Sequence, residues 1–190
     1  DRALSGGTRN PGRRRLLPNR LPRPTSIVMP SRPLALRELF PANRIVTDVA
    51  SLDKESLFEE LVDLIGSTGS FNFDRSAALA CVMEREALMS TAIRDGIAVP
   101  HGKSESINRM LGAIGMSKRG IDYDAADGKP VHIAFMILSP RHDPETHLRT
   151  LKMLAAALDT PGFVETLLSS RNPAEAFRFI ESFEDQPGSA

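Results

Sequence analysis

The stretch Val131-His132-Ile133-Ala134-Phe135-Met136-Ile137-Leu138 decides the fold. It is apolar on both faces apart from His132, as a strand buried on both sides must be. Such a strand belongs in the middle of a sheet with cover above and below. At eight residues it falls far short of the ~20 needed to cross a bilayer as a helix.

Working outward, Asp127-Gly128 is a hairpin-type turn, and before it Leu111 to Met116 reads as a Gly-interrupted strand. After the central strand come Asp143 and Pro144, a helix cap followed by a proline at the first helical position. The helix they open runs to about Asp159, with Leu148, Leu151, Leu154, Ala155 and Leu158 expected inside. Phe163 to Ser169 and Pro173 to Glu181 read as two more helices. Nearer the start, Arg44 to Asp48 reads as a strand. Ser51 or Asp53 caps a helix to about Ser67, and Asp74 starts another that ends near Glu86. Ile97 to Val99 is a strand stub that stops at Pro100, which fixes its own φ and keeps Val99 extended. Strands and helices mix rather than alternate strictly. The expected class is α/β: a mixed β-sheet flanked by helices on both sides, over residues 34–185.

A net charge of zero conceals an asymmetry. Residues 1–33 hold eight Arg, no Lys and one Asp, a net +7, and six of the 14 prolines; the other 157 residues carry 16 basic and 23 acidic groups, a net −7. The first segment has no apolar period and reads as a disordered basic arm, and 186–190 reads as a disordered tail. The arm has no continuous apolar core of a signal peptide. It offers Arg13, Arg14 and Arg15 to a nucleic acid or another acidic surface. Because Met29 precedes the first patterned residues, it also reads as functionless sequence upstream of the domain. No Trp and one Tyr argue against a base-stacking surface. Cys81 is the sole cysteine, so an internal disulfide and a four-cysteine zinc site are both excluded. On a helix among apolar neighbours it reads as a small buried hydrophobe.

The four histidines carry the chemistry worth weighing. His101 lies in Val99-Pro100-His101-Gly102-Lys103, an imidazole at a strand end beside a glycine that allows a bulky partner to approach. Taken alone, that turn is also a plain loop. His147 falls in the first turn of the helix capped by Asp143, where the positive helix end favours a neutral ring. Its alternative is a solvated or capping histidine. His132 reads as a satisfied core or sheet-end residue and His142 as an exposed loop residue. No histidine pair has the spacing of a zinc motif, so no metal is expected. Arg85, in Glu84-Arg85-Glu86-Ala87, is either a surface ion-pair partner or a guanidinium grip for a phosphoryl group. There is no P-loop, no GxGxxG and no serine elbow.

Together, the stretch Arg85-Glu86-Ala87-Leu88-Met89-Ser90-Thr91-Ala92-Ile93-Arg94-Asp95-Gly96-Ile97-Ala98-Val99-Pro100-His101-Gly102-Lys103 and the later Thr146-His147-Leu148-Arg149-Thr150-Leu151 resemble the EIIA domains of the fructose/mannitol class of the bacterial phosphotransferase system. The nitrogen-regulatory branch (PtsN) is the most similar. Ala92 and Arg94 depart from the glycine-richer loop of that branch; Arg94 either adds charge near the phosphate or points into solvent. The resemblance implies an α/β sandwich, phosphorylation of His101, and an active site completed by Arg85 and His147. It further implies a phosphoryl group accepted from an HPr-like protein through Nε2, with Nδ1–H bonded to a backbone carbonyl. No metal or nucleotide cofactor is implied. Met89, Ile93 and Met110 are candidates for an apolar docking rim.

Three function classes follow. The first is a cytoplasmic phosphohistidine carrier that regulates a downstream protein. The second is a sugar-uptake component passing phosphate to an EIIB domain, less favoured because no EIIB, EIIC or HPr segment is evident in the chain. The third is a nucleic-acid-associated protein using the arm, although no nucleic acid and no membrane insertion are expected.

Overall fold

A computed structural model describes residues 34–68 and 73–185. The predicted arm 1–33 and tail 186–190 lie outside these. Along the chain run α1 (Leu36–Leu39), a 3-10 turn (Ala42–Arg44), β1 (Ile45–Val46), α2 (Lys54–Ser67), α3 (Arg75–Leu88), β2 (Ala92–Arg94), β3 (Ile97–Ala98), β4 (His101–Ser104), β5 (Leu111–Ile121), β6 (Val131–Pro140), α4 (Pro144–Leu158), α5 (Phe163–Leu168) and α6 (Pro173–Glu184).

The six strands form one mixed sheet ordered β1-β5-β6-β3-β2, with β4 also paired to β6. β6 is central, as its two-sided apolar pattern requires. It is antiparallel to β5 and parallel to β3 and β4. Alternation along β6 divides the core in two. Ala134, Met136 and Leu138 join a cluster with Leu57, Phe58 and Leu61 of α2 and Ala78, Cys81 and Val82 of α3. Ile133, Phe135 and Ile137 join the opposite cluster with Leu39, Leu154, Leu167 and Ile180 of α1, α4, α5 and α6. Helices therefore cover both faces. Their starts follow the capping rule: Asp53, Asp74, Asp143 and Asn172 each accept the backbone N–H three residues on.

Several elements differ from the sequence reading. The strand does not stop at Pro100. The chain continues along β6 as β4, with Ile97 opposite Ile133 and His101 opposite Ile137. Only the ladder breaks: proline has no N–H to give, and the Val99 N–H donates instead to the Thr91 carbonyl at 2.9 Å. β5 runs on to Ile121, and the strand expected over Arg44 to Asp48 shrinks to two residues after the 3-10 turn. Asp127-Gly128 does lie in a turn, with the Gly128 N–H donating to the Ala125 carbonyl at 2.9 Å, within the longer connection between antiparallel β5 and β6. A tight two-residue hairpin that the sequence reading did not mark lies at Asp95-Gly96, both at positive φ (49° and 75°), between paired Arg94 and Ile97. On α4, Leu148 and Ala155 face outward while His147, Thr150 and Ala157 are buried. The apolar stripe is rotated toward the ring of His147.

Candidate functional site

β4 pairs with β6 alone, and alternation along it sets the geometry. His101 and Lys103 point to the α4 side. Gly102 points to α3, where an added Cβ would lie 2.4 Å from Cys81 Sγ and 2.7 Å from the Cys81 carbonyl carbon. The glycine therefore serves an intramolecular approach of β4 to α3, not access for a partner. Cys81 is buried, as expected, and burial pushes its thiol up to about 11.

His101 Nδ1 lies 2.8 Å from the Val99 carbonyl oxygen. A carbonyl can only accept, so Nδ1 carries the proton and Nε2 holds the lone pair. Arg85, from the last turn of α3, donates Nε–H to that lone pair at 3.1 Å and Nη1–H to the Met89 carbonyl at 2.9 Å. The chain that follows Arg85 is held by the buried Glu86. Its carboxylate accepts the Thr91 N–H (2.9 Å) and hydroxyl (2.5 Å), with Lys54 Nζ 3.6 Å away. Tyr123 O–H completes the set by donating to Thr91 Oγ1 at 2.8 Å, since the threonine proton is already engaged. This cluster fixes the loop whose Met89 carbonyl orients the guanidinium.

His147 meets His101 from α4. Their ring centroids are 5.5 Å apart, tilted by 45°. His147 Nδ1 lies 2.6 Å from the hydroxyl of Ser139, a fully buried residue of β6. Burial, followed by the influence of neighbouring Lys103, His101 and Arg85, lowers the His147 pKa to about 4. The neutral ring expected from the helix end is present, but desolvation is the principal cause. His101 is also held below the ordinary histidine value, by burial first and by Arg85 and Lys103 next; its bond to Val99 and the charge of Glu86 oppose the shift.

Beside the rings opens a groove of about 520 Å³, lined by Met89, Ile93, Val99, Leu151, Leu154 and Leu158, with Arg85 and His101 at its polar end. Met89 and Ile93 are exposed, whereas Met110 is half-buried against the core. Arg94 pairs with Asp159 across the same groove. His132 bonds the Ser117 carbonyl at 2.9 Å and His142 is exposed, and neither takes part in these contacts. Among the described residues, no three His, Cys, Asp or Glu side chains are grouped to hold a metal, and no helix is long and apolar enough to cross a membrane.

The fold thus brings Arg85, His101 and His147 to one spot. Residues 38–183 match the family described as phosphoenolpyruvate-dependent sugar phosphotransferase system, EIIA 2. The chain belongs to this family. It is similar to the "PTS system fructose-specific EIIABC component" of Bacillus subtilis, 36% identical over 66% of this chain but only 20% of that longer protein. It is also similar to the "Nitrogen regulatory protein" of Pseudomonas aeruginosa, 30% identical over 77% of this chain and 95% of that one. The solved structure of nitrogen regulatory protein IIA-Ntr from Neisseria meningitidis superposes with a TM-score of 0.68 at 30% identity, covering 75% of this chain and 97% of that one. The chain is an EIIA-type phosphocarrier domain with relatives on both the nitrogen-regulatory and fructose sides.

Sequence reasoning missed Lys103, Glu86 and Ser139 as parts of the site. Lys103 was within reach: two residues after His101 on a strand, it shares a face with it. Ser139 lies just beyond the apolar run of β6 and carries no local signal.

Proposed function

We propose that this EIIA domain accepts one phosphoryl group on His101 Nε2 from a phosphorylated HPr-like protein, and relays its state to a downstream protein as a cytoplasmic, nitrogen-type regulator. The observation that carries the reading is the pair of bonds on one ring. Nδ1–H is tied to Val99, and Nε2 presents its lone pair under a guanidinium, with a second ring 5.5 Å away.

In the transfer, the Nε2 lone pair attacks phosphorus in line. A new N–P bond forms as the donor's N–P bond breaks, its electron pair returning to the donor ring. The Nδ1 proton of His101 stays where it is. Such a step asks for positioning and charge rather than covalent help. The Arg85 guanidinium releases Nε2 and turns its donors to the phosphoryl oxygens, and His147 Nε2–H adds another. Exposed Met89 and Ile93, with Leu148 beside His147, supply the apolar rim on which the donor rests.

Coverage of 95% and 97% of the nitrogen regulatory proteins of Pseudomonas aeruginosa and Neisseria meningitidis supports the regulatory role. The fructose relative favours a second reading, phosphate passed to an EIIB domain. Incubation with phosphorylated HPr-like protein is expected to label the chain once, with acid-labile, base-stable phosphate, and His101→Ala to abolish labelling. Label retained by that variant overturns the assignment.

A further inference from the structure

We propose that Ser139 is a positioning residue that locks His147 as its Nε2–H tautomer, so that the site holds two imidazoles in opposite protonation patterns. The inference deepens the phosphocarrier reading and rests on it for the consequence, though not for the tautomer itself.

Ser139 is wholly enclosed, and among the described residues the partner of its hydroxyl is His147 Nδ1 at 2.6 Å. A hydroxyl has one proton to give. If Nδ1 carried the ring proton, the serine would accept it and its own proton would be left in the interior without an acceptor. If the serine donates, both groups are satisfied. The ring proton then sits on Nε2. Nothing nearby favours a second proton: Lys103, His101 and Arg85 each oppose a cation there, and so does burial.

His101 is set the other way by a group with no choice, the Val99 carbonyl. One ring consequently offers a lone pair at Nε2, and its neighbour offers a donor at the same atom. This is what an attacked phosphorus and its oxygens require. With the opposite tautomer, His147 would turn a lone pair toward anionic oxygens. Register explains why the serine can do this. Ser139 pairs with Lys103 at the end of β6, four residues before Asp143 caps α4. The strand therefore delivers its hydroxyl under the first turn of the helix.

The test is long-range ¹⁵N–¹H NMR of the histidine rings near pH 7.5, followed by transfer kinetics. The wild-type chain is expected to show Nδ1–H at His101 and Nε2–H at His147. A His147 Nδ1–H signal overturns the proposal without any variant. Ser139→Ala is expected to mix the His147 tautomers and slow phosphoryl transfer about tenfold, the loss of roughly one hydrogen bond. Ser139→Thr keeps the hydroxyl and is expected to restore both. A pure Nε2–H tautomer with wild-type transfer in Ser139→Ala also overturns it. If wild-type protein takes no label at all, the phosphocarrier reading fails while the NMR result still decides the tautomer.

Discussion

His101 rides on a strand and is held by backbone, whereas His147 rides on a helix and is held by side chains. The first has a carbonyl at Nδ1, a proline before it and a glycine after it pressed against Cys81. The second has a serine hydroxyl, an Asp143 cap at the head of its helix and the charge of Lys103 nearby. The difference teaches where each ring is vulnerable. Position at His101 fails when strand packing fails. Protonation at His147 fails when individual polar partners or the pH change.

The strongest way to break the His101 side is Gly102→Val. The new side chain meets both the sulfur and the backbone of Cys81, so overpacking is expected to cost about 3 kcal/mol, read as a lower urea midpoint. Adding Cys81→Ala should recover only part, because the contact with the Cys81 carbonyl carbon persists.

Next in size, Arg85→Ala is expected to slow transfer to His101 about a hundredfold in rapid-quench labelling, as loss of a donor to a developing charge does. His147→Ala should be milder, about tenfold, because one bond is lost rather than a fork. Unchanged rates in both variants would restrict the site to His101.

A pH series sharpens the His147 side. Its folded pKa lies below the unfolded value, so between about 4 and 6.5 the unfolded chain binds more protons. The His147 contribution to stability is expected to be full above pH 6.5, to fall by about 3 kcal/mol toward pH 4, and to change no further below that. His147→Gln should flatten this part of a denaturation series; an unchanged slope would assign it to another group.

Much of the fold was legible because β6 carries its position in its own pattern: a strand apolar on both faces has to be central. Asp53, Asp74 and Asp143 marked helix starts for an equally local reason, a side chain bonding the N–H three residues on. β4 was not legible, since a proline hides a strand that merely loses one ladder bond. Leu148 and Ala155 were misplaced because a polar ring, His147, takes the inward position that periodicity assigns to an apolar side chain. At the candidate site, the motif named the three side chains that the fold brings together, Arg85, His101 and His147. The bonds of Ser139 and Glu86 are decided by sheet register and loop closure, which no single stretch encodes.

The sulfur beneath Gly102 has a practical consequence. Being the chain's sole thiol, shielded and reluctant to ionise, Cys81 should ignore maleimides at neutral pH. A cysteine introduced on the surface then becomes the one address for a dye. In the unaltered protein, slow alkylation serves as a clock for the opening of the seam between α3 and β4.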